Sequence, residues 1–213
     1  MHLPRILVTG SSGVVGSALV SALSARHYSV ESIDLRSKNS SAQGDICDIT
    51  QVSQRIRGID GIVHLAAVSR VVEAEDNPDR CWSVNVGGLR NVLHSALALS
   101  PQPWLIFASS REVYGQPQVL PADENSPLLP INAYGRSKVE GERLIEEVRK
   151  LGMRACTLRL PNVYGSPTDH SDRVIPAFAR AALQGQPLKI NGSGHTFDFI
   201  RDLRLGAFDV LVG

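Results

Sequence analysis

Thr9-Gly10-Ser11-Ser12-Gly13-Val14-Val15-Gly16 sets glycines at positions 10, 13 and 16 between an apolar run, Arg5–Thr9, and a stretch of helical spacing, Val14–Ala25. Such a junction has a physical use. Without a Cβ the chain turns tightly and lets a pyrophosphate approach the backbone, while the start of the helix offers unpaired N–H groups to the anion. Gly10, Ser12, Gly13, Val14 and Gly16 are therefore candidate contacts for a dinucleotide. A glycine turn alone is common, so the end of the next strand matters. It reads Ser32-Ile33-Asp34, and Asp34 lies 18 residues after Gly16, near the spacing of a ribose-binding acid. A carboxylate there accepts from both adenosine ribose hydroxyls and repels a 2′-phosphate, which favours NAD over NADP. Arg36 leaves three uses open: binding a 2′-phosphate, stacking on adenine, or simple solvation.

Outward from this junction, apolar runs alternate with amphipathic stretches. Tyr28–Ile33, Ile59–Leu65, Trp104–Ala108 and Met153–Leu160 read as short buried strands, and Ala133–Lys150 as a long charged helix. The repeated strand–helix order predicts an α/β fold, a Rossmann-type doubly wound parallel sheet with helices on both faces. The proline-rich region Gln116–Pro130 reads as an ordered excursion between strand and helix. From Pro161 onward Gly and Pro recur and the alternation weakens, as substrate-binding loops often do. This divides the chain into a dinucleotide-binding domain, 1–160, and part of a substrate-binding lobe, 161–213.

Composition narrows the alternatives. The 213 residues are 43% hydrophobic and 20% charged with a formal net charge of +1, which points away from a nucleic-acid surface. Apolar stretches such as Ile62–Val68 are too short to span a bilayer. Met1-His2-Leu3-Pro4-Arg5 runs straight into a strand without a signal peptide's apolar region, so a cytoplasmic protein is expected. Cys47, Cys81 and Cys156 lack CxxC spacing, and no histidine pair has i,i+4 ligand spacing, so neither disulfide nor metal is assigned.

The chemistry is carried by another pair. Tyr134 and Lys138 are four apart and share one face of a helix. A phenol of pKa about 10 is a poor base at neutral pH, but a neighbouring ammonium favours its ionised form. Ser109 and Ser110 follow Phe107-Ala108 at the C-terminal end of a strand, where open parallel sheets bind ligands.

The motifs TGSSGVVG (9–16), GDICD (44–48), HLAAVS (64–69), NVGG (85–88), SSREVYG (109–115), YGRSK (134–138) and RLPNVYG (159–165) resemble, in this order, the NAD-dependent epimerase/dehydratase family of extended short-chain dehydrogenases/reductases. The resemblance implies Tyr134 as base, Lys138 as the group that tunes it and binds nicotinamide ribose, and Ser110 as the hydroxyl partner. It implies Asp45 and Ile46 near adenine, with Leu65, Ala66, Ala67 and Pro161 along the cofactor and Asn85 ordering the cleft. Ser69, Ser110, Arg111 and Asn162 are implied on the substrate side. Tyr114, Tyr164, Ser109 and His64 are expected to pack rather than react.

The implied reaction is NAD-dependent epimerisation of a nucleotide sugar, foremost 4-epimerisation of a UDP-sugar through a transient keto form. A sugar or uronate dehydrogenase, a dehydratase and a non-catalytic NAD-binding module are the alternatives. Dehydratases of this kind carry an Asp-Glu pair where this chain has Arg111-Glu112, and an arginine stays protonated and cannot act as the acid. The resemblance also implies a homodimer packed through about Asp79–Leu99 and Ala133–Lys150, with Val84, Leu89, Val92 and Leu93 either facing the partner or in the core. Gly192–Ile200 looks like a substrate-lobe motif. The chain stops at Gly213, short of typical relatives. The expectations are an incomplete lobe, an uncovered apolar end at Leu203–Gly213, retained cofactor binding and weak substrate affinity.

Overall fold

The computed structural model describes residues 3–166, 169–190 and 197–201. Strands β1 (Arg5–Thr9), β2 (Ser29–Ile33), β3 (Gly61–His64), β4 (Trp104–Ser110) and β5 (Ala155–Leu160) form one parallel sheet in the order β2-β1-β3-β4-β5. The chain leaves β1 toward one edge and returns to pair β3 on the other side of it. That reversal opens a crevice at the carboxyl ends of β1 and β3, the switch point of a doubly wound sheet. The expected strands differ only at their ends. Tyr28, Ile59 and Met153 lie outside them, and β4 runs on to Ser110.

Side chains alternate between the two faces, as the period of a strand requires. Leu7, Ile62, Leu105 and Phe107 join one buried cluster with Val52 of α2 (Ile49–Arg55), Leu89 of α5 (Gly88–Leu97) and Ile145 of α6 (Ala133–Lys150). Ile6, Val8, Val63 and Ile106 join the other with Leu19 and Leu23 of α1 (Val14–Ala25). Helix α6 begins where Asn132 accepts from the Gly135 N–H at 2.7 Å, and its last turn carries Arg149 and Lys150, which complement the helix dipole.

The stretch Asp79–Leu99 is helical without a break from Pro78 to Leu97, with a π-helical turn inside it. After α3 (Val71–Asp76) it comprises α4 (Pro78–Trp82), a π-helical turn at Ser83–Gly87, and α5. Such turns often sit at functional sites. Of the two places open to Leu89, Val92 and Leu93, the structure takes the core. All three are at most 4% exposed, inside the core, because α5 must cover the sheet face beside α2. Val84 is partly buried against the same core.

Beyond β5 a smaller unit begins. β6 (Asn162–Tyr164) pairs in parallel with β7 (Phe199–Arg201), and α7 (Val174–Leu183) lies between them in sequence. Val163 and Ile200 rest against the α1 side of the core. Residues 192–196 of the glycine-rich motif and the whole of 203–213 lie outside the described residues. Among those described, no helix is long and apolar enough to cross a membrane.

Candidate functional site

A cleft of about 710 Å³ opens over the carboxyl ends of β1, β3, β4 and β5. Its floor is backbone. Gly10 has φ +72°, and a Cβ added there would lie 2.7 Å from the Ala66 nitrogen, so β1 and the segment after β3 touch only because a side chain is missing. A Cβ on Gly16 would lie 2.1 Å from the Gly10 carbonyl oxygen. Gly13 caps the start of α1 and brings no side chain to it, leaving the helix's first turn able to meet an anion.

Asp34 stands at one end of this floor, 6% exposed. Its Oδ2 accepts from the Ser12 N–H at 2.9 Å and its Oδ1 from the Arg36 N–H at 2.7 Å. The acid therefore orders the glycine loop as well as facing the cleft. Asp45 and Ile46 line the same end, and Leu65, Ala66 and Ala67 follow on the β3 side.

Thr9 was overlooked in the sequence, although it opens the glycine motif. Its Oγ1 accepts from the N–H groups of Leu65 and Ala66, at 3.2 and 3.1 Å. Its own proton is then left for His64 Nδ1, 3.0 Å away. His64 is a core residue as expected, 1% exposed and stacked on Phe107. Burial first, then the Lys138 charge, lowers its pKa to about 3.

At the other end, Tyr134, Lys138 and Ser110 come together in the cleft. Lys138 is 3% exposed, and its Nζ donates to the Ala108 carbonyl at 2.7 Å. It lies 4.9 Å from the centre of the Phe107 ring and 5.8 Å from that of Tyr134. Burial lowers the ammonium to about 8, while Cys81 and then Glu142 work in the opposite direction. The Tyr134 phenol is pushed up to about 12 by burial, against a hydrogen bond from Ser110 that favours its ionised form. Ser110 Oγ also accepts from the Glu112 N–H at 3.2 Å.

Arg111 extends toward the smaller unit. Its Nε donates to Asn162 Oδ1 at 3.3 Å, its Nη2 lies 2.8 Å from Glu112 Oε1, and its guanidinium covers the Phe197 ring at 4.7 Å. Asn132 donates to the second Glu112 oxygen at 2.7 Å. Both oxygens of this cleft-lining carboxylate are thus engaged by side chains. Asn132 was not singled out in the sequence, although an Asn just before a helical run is a capping signal. Ser69 and Pro161 line the cleft as well.

Every expected site residue borders this one cleft except Asn85. Asn85 lies behind the wall, 2% exposed. It accepts from the Val68 N–H at 2.7 Å and donates to the Val68 carbonyl at 3.2 Å and to Ser137 Oγ at 2.9 Å. It braces the segment after β3 from behind rather than lining the cleft. The π-helical turn directs this amide into the protein, where buried polar groups must find partners.

Residues 6–203 match the NAD dependent epimerase/dehydratase family. The chain is 32% identical over 201 residues to a UDP-glucose 4-epimerase of Lactobacillus helveticus, covering 85% of this chain and 61% of that protein. It is 30% identical to a dTDP-glucose 4,6-dehydratase of Mycobacterium tuberculosis over 209 residues, with 89% and 62% covered. The chain thus spans about three fifths of the length of these two relatives. Among solved structures, the UDP-glucose 4-epimerase of Brucella ovis in complex with NAD superposes with a TM-score of 0.86 at 27% identity, over 98% of this chain and 72% of that one.

Proposed function

We propose a function from the premise that the chain belongs to the NAD dependent epimerase/dehydratase family: it binds NAD and epimerises a nucleotide sugar, foremost at C4 of a UDP-sugar. The observation that carries this reading is the meeting of Ser110, Tyr134 and Lys138 at one end of a cleft whose other end is made by the glycine loop and Asp34. The cradle fits the cofactor, since Gly10 and Gly16 sit where any Cβ would collide with backbone. Residues 1–160 would hold NAD, with Asp34 on the adenosine ribose and Lys138 on the nicotinamide ribose, and 161–213 would contribute to the sugar side.

When bound, NAD supplies a hydride acceptor and a positive ring whose charge favours the phenolate. The chain's own groups move the proton. Tyr134 takes it from the sugar hydroxyl and returns it, with Ser110 sharing the reacting oxygen. The Lys138 ammonium, held by the Ala108 carbonyl, favours the ionised phenol from the same helix face. Asn162 and Arg111 would meet the substrate beyond Ser110. The engagement of both Glu112 oxygens by Arg111 and Asn132 favours epimerisation over elimination, because no free carboxylate stands there to shuttle protons. A dimer and a cytoplasmic location complete the proposal, and light scattering at micromolar concentration tests the former.

The deciding experiment incubates the chain with NAD and a panel of nucleotide sugars, following epimer formation and NADH absorbance together. Epimer without net NADH is expected. Net NADH would replace epimerase with dehydrogenase, and binding without turnover would leave a cofactor-binding module.

A further inference from the structure

Helix α6 continues past its reactive residues. One turn beyond Lys138, on the same face, stands Glu142, with a side chain 11% exposed. Its Oε1 accepts from Ser109 Oγ at 2.5 Å and from Arg159 Nε at 3.0 Å, and its Oε2 accepts from Arg159 Nη2 at 2.8 Å. Arg159 is itself tied further out. Its Nη1 donates to the Tyr114 hydroxyl and to the Glu124 carbonyl, each at 2.9 Å. One ion pair therefore joins β4, α6, β5, the turn at Arg111–Tyr114 and the proline-rich excursion, next to the residue that carries the reacting hydroxyl.

Stability is a weak reason for such a pair. Taking two charges from water costs about as much as their attraction returns, and apolar residues of the same volume often serve as well. Its position gives a better reason. We propose that Glu142, clamped by Arg159, is a positioning residue: it fixes the strand end that carries Ser110 and presents a negative charge to the Lys138 ammonium. Ser109 is bound by Glu142 while Ser110, its neighbour on the strand, faces the cleft, so the clamp sets the height of the reacting hydroxyl. The groups facing Lys138 are His64 from β3, Cys81 from α4, and Tyr134 and Glu142 from α6. Of these, Glu142 is a carboxylate whose removal leaves the cleft lining intact.

The inference rests on the proposed epimerase reading only for its turnover readout. The test follows the Lys138 ammonium by NMR titration of the isolated chain, and kcat, KM and NAD affinity in parallel. Glu142→Gln should move the Lys138 midpoint and the alkaline limb of kcat to lower pH, because the anion favouring the ammonium is gone. It should also cut kcat by up to about 10²-fold, the cost of displacing a reacting group by about 1 Å, with KM and NAD affinity unchanged. Arg159→Gln should move the midpoint the other way, since Glu142 is then uncompensated. Glu142→Asp should restore the midpoint but not kcat, because the shorter carboxylate does not reach Ser109. If a single variant fails to fold, Glu142→Gln/Arg159→Gln removes both charges and leaves none unpaired. It should fold, with a lowered midpoint.

Wild-type midpoints and kcat in these variants would overturn the assignment. So would equal losses of NAD affinity and melting temperature with an unmoved midpoint, the mark of a purely structural pair. A wild-type chain that turns over no nucleotide sugar would instead overturn the proposed reaction, and the titration alone would then decide the role of Glu142.

Discussion

Helices α6 and α7 differ in what they bury. Of the 18 residues of α6, eight are buried, among them Lys138, Leu144 and Ile145; of the 10 residues of α7, none is. The same contrast holds for the strands around them. β3 is buried throughout, whereas β6 is only half-buried. The half that carries the glycine loop, Asp34 and the Ser110–Tyr134–Lys138 group is built around cores of its own. The unit beyond Pro161 leans on them. Reacting groups need fixed geometry, and dense packing supplies it. Elements that admit a substrate are drawn from the less stable end of a fold.

Tyr134→Phe probes the contrast most strongly. Turnover should fall about 10²–10⁴-fold, the usual contribution of general acid–base catalysis, while NAD binding measured by calorimetry stays nearly intact. A retained kcat would remove Tyr134 from its role as base.

Packing gives the next largest difference. Ile62 is 0% exposed, and Ile62→Ala should cost about 2–5 kcal/mol in denaturant unfolding. Val174 of α7 is 43% exposed, and Val174→Ala should change stability by no more than about 0.5 kcal/mol. Equal losses at the two sites would erase the distinction between the halves.

Asp34→Ala should narrow the preference for NAD over NADP by about 10–100-fold, the worth of hydrogen bonds to a charged group. The change also frees the Ser12 and Arg36 N–H groups that the carboxylate now holds. Calorimetry finding NADP bound by the unaltered chain as tightly as NAD would count against it.

The last comparison is in pH. Burial pushes the His64 imidazole from its ordinary 6.5 down to about 3 in the folded chain. Between those values the unfolded chain binds more protons, so stability should fall as pH drops from about 6.5 toward 3. Replacing His64 with Gln should flatten that slope in acid unfolding curves. An unchanged slope would mean that the imidazole is not held neutral.

Much of the first half was legible in order. Arg5–Thr9, Val14–Ala25 and Ala133–Lys150 occupy the bounds their periodicity indicates, because strand and helix periods are local and the glycines and Asn132 mark where one ends and the other begins. Asn85 and the helix around it were harder to read. A π-helical turn leaves no mark in hydrophobic spacing, and whether Leu89 faces the core or a partner depends on what lies opposite. The clamp of Glu142 by Arg159 was invisible for the same reason, since 17 residues separate them and they lie on different elements, α6 and β5.

The alternating α/β order, the glycine cradle with its acid, and the Tyr134–Lys138 face could all be read from the chain's residues in order. These rest on short-range spacing, which the helix and strand periods translate directly into geometry. Packing in three dimensions is what makes Thr9 bind the segment after β3, Arg111 and Asn132 occupy Glu112, Asn85 stand behind the cleft, and Glu142 anchor Ser109. Each of these joins side chains from elements far apart in sequence, and their meeting is set by how the sheet and its helices pack.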